Sequence, residues 1–279
     1  MRTKRRTVFD IISVILFVMI SLIMLIPIYK VLVDSFDLKT AYGMRLLPQQ
    51  FGLDGYISVF TNPTLFQPFL ISCVTTIAGT FAGLAISTLG AYVLIQWKMP
   101  GRKLLANFLL FIMIFNGGMI PTYLVMKALG LTNTLWVVIL LPAINVYNLV
   151  LMRNFFEGIP ASLFESAEID GCSPMGTFFK IVLPLSKAAL TAIGLMFAVQ
   201  YWNDYTNYKL YIKNENLYNF QMKLRSLILG SDLPSAVGSA TENTIKNAAV
   251  IVAILPFVII YPFCQKYFIS GVNIGAVKE

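Results

Sequence analysis

The chain has 279 residues, 57% of them hydrophobic and 12% charged, with a mean hydropathy of +0.75 and a net charge of +8. A soluble domain carries about twice that charged fraction, which excludes an ordinary water-soluble enzyme. The basic residues are scattered among apolar runs without an aromatic-interleaved patch, which argues against nucleic acid. With no histidine, the commonest general base and metal ligand are missing.

Six uncharged runs follow one another, at 11–29, 55–97, 104–126, 128–152, 188–203 and 247–265. A helix needs roughly 20 apolar residues to cross the hydrocarbon core, where its backbone must satisfy itself. The runs predict six transmembrane helices at about 11–33, 68–95, 104–126, 135–152, 183–204 and 247–268, the fifth extended backward if Lys187 snorkels. The first is expected to be retained: its apolar core is too long for a signal peptide, contains Pro27 and lacks a small-residue cleavage site. Arg2, Lys4, Arg5 and Arg6 precede it, and Lys98, Arg102 and Lys103 fill the turn after the second. The positive-inside rule therefore makes that side cytoplasmic and puts loops 34–66 and 205–245 outside. Trp97, Trp136 and Trp202 fall near the ends of runs, where an interfacial belt is expected.

Within the second segment, Gly79, Gly83 and Gly90 lie near one helical face and allow close helix packing. The third is interrupted by NGGMIP (Asn116 to Pro121), which should loosen or bend its outer half. The fourth carries Asn145 and Asn148, three apart and so expected on one side of the helix. The fifth ends in QYWNDYTNYKLY. There Tyr201, Trp202, Asn203, Tyr205 and Asn207 combine aromatic faces with amides and suit either a sugar path or the membrane interface. Cys73, Cys172 and Cys264 show no pair spacing. No internal repeat or soluble domain is visible, and 1–279 reads as one transmembrane domain.

Between the fourth and fifth segments, 153–182 reads as a cytoplasmic loop of two short helices. Ser162 and Glu165 have capping-box spacing, and Leu163, Phe164 and Ala167 fall on one face. Gly171 after Asp170 sits where a left-handed terminator belongs, and Ser173 with Pro174 restarts a helix. The result is a helix-turn-helix with an exposed apolar ridge and acidic flanks, a pattern that suits docking better than catalysis.

The residues E-S-A-E-I-D-G-C, then nine positions to Ile181, then V-L-P resemble the EAA motif of ABC importer permeases, E-A-A-x-x-x-G followed by I-x-L-P. Glu165, Ala167, Gly171, Ile181, Leu183 and Pro184 occupy matching positions; Ser166 departs from the middle alanine. The tail QKYFISGVNIGAVK and the stretches GGMIPTYLV, ALGLTNTLW and FQMKLRSLILGS are similar to the carbohydrate-uptake branch, the MalG-type permeases of the LplC/YtcP group. The resemblance covers nearly the whole chain. It implies an all-α polytopic membrane protein with a type I permease fold and six transmembrane helices. It also implies a second homologous permease, two ATPase subunits docking at 160–171 and an extracellular solute-binding lipoprotein. Leu163, Phe164, Glu165, Ala167, Asp170 and Gly171 would form the ATPase-coupling surface, and Asn145, Asn148, Tyr201, Trp202, Asn203, Tyr205 and Asn207 would border the solute path. The outer loop 205–245 would meet the binding protein, as in maltose-type importers.

No G-x-x-x-x-G-K-[ST] occurs, so ATP and its Mg²⁺ are expected on partner chains, with no cofactor on this one. A stand-alone secondary transporter would need ionisable groups inside the runs, which hold almost none. A membrane-embedded enzyme would need nucleophiles or paired carboxylates at membrane depth. Within the importer reading, the alternative solutes are a peptide, a polyamine or glycerol phosphate.

Overall fold

A computed structural model of the chain describes residues 8–39, 43, 45–96, 99–115, 117–230 and 238–275, the stretch 266–275 by backbone only. The expectations placed on Arg2, Lys4, Arg5, Arg6, Trp97, Lys98 and Asn116 lie outside the described residues. The helices are α1 (Val8–Ser35), α2 (Asp54–Thr61), α3 (Pro63–Ile95), α4 (Arg102–Ile114), α5 (Met119–Ala128), α6 (Leu135–Ala143) and α7 (Val146–Glu157). There follow α8 (Ala161–Ile169), α9 (Pro174–Thr177), α10 (Leu183–Leu185), α11 (Lys187–Trp202), α12 (Thr206–Tyr211), α13 (Phe220–Ile228) and α14 (Glu242–Gly275). Phe178–Val182 forms a π-turn between α9 and α10. Among the described residues, strand-like pairing is confined to an isolated antiparallel bridge between Asp37 and Phe51.

Among the described residues, three single helices are long and apolar enough to cross a membrane, and the number reaches six if each of three bent pairs is one span. The breaks have local causes. Gly118, at φ +91°, opens α5 after α4 has ended at Ile114. Pro142 has no N–H to donate within α6, and α7 restarts from Asn145 with a bend of 43°. The fifth segment begins later than expected. Residues 183–185 continue the preceding helix, and α11 starts at Lys187 after a bend of 82°.

The chain divides into two compact units. The first comprises 1–66 and 224–255. In it α1 is apolar and solvent-exposed along almost its whole length, the state of a helix meant for lipid or another chain. Beyond its C-terminal end, Leu38 N–H donates to Gln50 O and Gly52 N–H to Phe36 O, both at 2.9 Å. Ser35 and Tyr56 share a hydroxyl hydrogen bond of 2.6 Å, and the rings of Phe36 and Phe51 stack at 5.4 Å. The start of α14 is fastened to this segment by Thr244, whose hydroxyl donates to Asp37 O at 2.6 Å. The described residues of 34–66 are therefore packed structure rather than a free loop.

The second unit comprises 67–223 and 256–279. Its main core gathers Ala91 and Tyr92 of α3, Met152 and Phe156 of α7, Phe178 and Val182 of the π-turn, and four residues of α11. The glycines of α3 admit those neighbours. A Cβ at Gly83 would lie 2.6 Å from the Phe197 ring, one at Gly90 would lie 2.7 Å from Leu149 Cδ1, and one at Gly79 would strike the Tyr201 ring. Trp202 is buried between Phe69 and Phe257, whereas Trp136 is exposed.

A second core lies around α6 and α12, with Val137, Val138, Tyr208, Tyr211, Ile212 and Met222 buried together. Tyr208 OH bonds Thr75 Oγ1 at 3.0 Å, and Phe220 N–H donates to Ser72 Oγ at 2.9 Å. The first part of the stretch 205–245, expected as an outer loop, is thus packed structure.

Candidate coupling site

The stretch 160–185 is built from two helices and a sharp turn. Pro160, extended at φ −56° and ψ 133°, opens α8, and Leu163 N–H closes the first turn on Pro160 O at 3.1 Å. The expected capping box between Ser162 and Glu165 does not form, because the helix has already begun at Ala161 and Ser162 lies inside its first turn. At the other end, Cys172 N–H donates to Ala167 O at 2.8 Å and Gly171 N–H to Glu168 O at 3.1 Å, with Gly171 at φ +69°. This is the Schellman arrangement, and it requires the left-handed residue that glycine supplies. Ser173 then caps the next helix by accepting from Gly176 N–H at 3.1 Å, with Pro174 in its first turn.

The apolar ridge is divided differently from the expected Leu163–Phe164–Ala167 face. Ala167 is only 4% exposed, and Phe164 packs against the main core, so these two hold α8 to the protein itself. Leu163 stays exposed, and Ile169 is 86% exposed at the helix end. Met175 and Phe179 continue an exposed apolar surface past the turn. The physical reason is helical geometry: residues 164 and 167 share the inward side, which leaves 163 and 169 to face out. Asp170 caps α8 by its backbone and is exposed.

Glu165 and Glu168 line a cavity of about 620 Å³ together with Tyr92, Arg102, Glu157 and Phe164. Glu157 is engaged, by Arg153 at 2.7 Å and by Arg102 at 3.4 Å. Glu165 has no hydrogen-bonding or ionic partner among the described residues, which leaves it available to a cation from outside the chain. The three cysteines are free.

The residues expected along a solute path do not share one surface. Tyr201 is 2% exposed, its ring seated over Gly79 and its hydroxyl donating to Ile139 O at 2.6 Å. Trp202 is also buried, so neither ring presents a free face to a sugar. Asn203 is exposed, and its amide donates to Val199 O at 3.0 Å. Asn207 binds both carboxylate oxygens of Asp204, through N–H at 3.0 Å and Nδ2 at 2.9 Å, and Tyr205 packs partly buried against the second core. Asn145 and Asn148 are not two rungs of one helix: Asn145 is the cap of α7, its Oδ1 accepting from Asn148 N–H at 3.1 Å. Asn145 Nδ2 also donates to Gln200 Oε1 at 3.4 Å, and Asn148 is 2% exposed with its Oδ1 unpaired.

Four participants escaped the sequence reading. Arg153 and Glu157 are an i,i+4 pair whose spacing could have revealed them. Tyr92, whose hydroxyl donates to Pro174 O, and Gln200, opposite Asn145, are joined to the site only by the fold.

Comparison with known proteins agrees with this architecture. The family model described as binding-protein-dependent transport system inner membrane component matches residues 83–274. Protein LplC of Bacillus subtilis is 40% identical over 99% of this chain and 97% of its own length. The polygalacturonan/rhamnogalacturonan transport system permease protein YtcP of the same organism is 40% identical, over 98% of this chain and 99% of its own. Among solved structures, a chain of a bacterial ABC transporter involved in the import of the acidic polysaccharide alginate superposes with a TM-score of 0.86. It is 29% identical and is matched over 96% of this chain and 98% of that one.

Proposed function

The chain belongs to the binding-protein-dependent transport system inner membrane components, and on that premise we propose how its parts serve import. It is a membrane-embedded permease subunit of an ABC importer, not an enzyme. Such an importer works with a partner permease, ATPase subunits and a solute-binding protein. The solute is an oligosaccharide or related carbohydrate, a reading supported by the named transport roles of its relatives. ATP and Mg²⁺ bind the ATPase subunits, in keeping with the missing phosphate-binding loop here.

The observation that carries the coupling role is the division of α8 into two faces. Phe164 and Ala167 fix the helix to the core, while Leu163 and Ile169 lie outward beside the unpartnered Glu165. An apolar surface with a free carboxylate at its edge suits a cleft that offers apolar walls and a cation. Closure of two ATPases would press on α8 and turn the helices packed behind it, exposing the path alternately to each side. In this reading both termini, 96–103 and 153–182 are cytoplasmic.

Reconstitution of the chain with a partner permease, ATPase subunits and a solute-binding protein from the same organism tests the reading. ATP-driven accumulation of oligosaccharides in vesicles, and not of peptides, polyamines or glycerol phosphate, is the expected result. Accumulation of one of those other solutes instead would replace the carbohydrate assignment, and the permease role would stand.

A further inference from the structure

We propose that Tyr92 is the joint that makes the inner end of α3 move as one piece with the coupling stretch. The inference rests on the coupling role of 160–171 and adds a positioning residue to it. Tyr92 is 5% exposed, and its hydroxyl donates to the carbonyl of Pro174, 82 positions away, at 2.7 Å. Its ring lies 4.9 Å from that of Phe178, and the Gln96 side chain is a further partner of the hydroxyl.

Pro174 O already accepts from Phe178 N–H inside its own helix. The Tyr92 bond uses the second lone pair of that carbonyl, so α9 does not need it to fold. Its consequence is mechanical. Pro174 follows the Gly171 turn by three residues, and any tilt of α8 reaches it through that short, capped link. By the chain itself, the same tilt must pass a π-turn and an 82° bend before it reaches α11. Tyr92 bypasses both and hands the movement directly to α3. There the close seats of Phe197 on Gly83 and Leu149 on Gly90 prevent α3 from sliding independently of its neighbours.

The test uses the complete transporter in lipid, with spin labels at Val93→Cys and Met175→Cys in a cysteine-free background. Both positions are exposed on this chain, and the labelled parent must first match the unlabelled one in ATP hydrolysis. A non-hydrolysable ATP analogue is the probe. In the parent, the separation of the two labels should be the same with and without nucleotide. In Tyr92→Phe, which keeps the ring and its packing, the separation should broaden and become nucleotide-dependent. Hydrolysis of ATP without binding protein should rise roughly fivefold, the factor that one net hydrogen bond carries in a two-state equilibrium. A nucleotide-dependent separation in the parent, or a Tyr92→Phe complex indistinguishable from it, would overturn the proposal. Failure of the underlying coupling reading registers separately, as normal ATPase capture by a chain carrying Gly171→Val.

Discussion

Cys172 and Ala167 are joined by a 2.8 Å backbone hydrogen bond that spans the left-handed Gly171 and closes α8 on itself. A Cβ at Gly171 would meet no atom within 4 Å, so a substitution there is resisted by backbone conformation alone. The left-handed region costs a residue with a Cβ roughly 1 kcal/mol or more, most for a β-branched side chain and least for asparagine. Gly171→Val should therefore insert and pair with the sister permease yet capture the ATPase poorly, while Gly171→Asn should stay near the parent. Pull-down of the ATPase with each purified variant is the measurement. Equal capture by Gly171→Val would show that the turn is not needed for docking.

Gly79 and Tyr201 make a second testable pair. The ring fills the space a side chain at 79 would need, and the hydroxyl binds Ile139 O. Gly79→Val should lower stability by about 1–3 kcal/mol through overpacking. Tyr201→Ala in the same chain should restore part of that loss, although each change alone is destabilising. Thermal unfolding of the four proteins in detergent reads the non-additivity; strictly additive effects would mean the helices separate without cost at this point.

Asn133 holds the segment 211–214 by three bonds. Its Oδ1 accepts from Lys213 and Asn214 N–H at 3.0 and 2.8 Å, and its own N–H donates to Tyr211 O at 2.8 Å. It sits at φ +61°, so Asn133→Gly preserves the backbone and removes only the side-chain acceptor. Amide exchange at Lys213 and Asn214 should quicken about tenfold, as expected for a loss near 1.4 kcal/mol. If this face meets the binding protein, stimulation of ATP hydrolysis by loaded binding protein should fall in parallel. Faster exchange with full stimulation would place the binding protein elsewhere.

Orientation is checked with an impermeant thiol reagent on intact cells. Both side chains are exposed on the chain, so on the proposed topology Met175→Cys should be protected and Glu215→Cys should react. The opposite pattern would invert the topology.

The uncharged runs announced a membrane protein because apolar length is a property of the chain itself. Gly171, Ser173 and Pro174 were legible as turn and cap because their conformational preferences act over two or three residues. The same local logic failed at Ser162 and Glu165, where Pro160 holds the cap position two residues before Ser162, the expected cap.

Which side of α8 faces inward was not written in the sequence, since Leu163, Phe164 and Ala167 are all apolar and only the core behind them selects two of the three. Tyr201 and Trp202 illustrate the same limit. Their composition suits a sugar or a membrane interface equally, and the space above Gly79 and the rings of Phe69 and Phe257 decided that they are packed inside. Helix existence, breaks and caps follow from short-range backbone chemistry, so the sequence by itself determined them. The Tyr92–Pro174 bond and the pairing of Asn145 with Gln200 join residues 82 and 55 positions apart, and only tertiary packing brings such groups within reach.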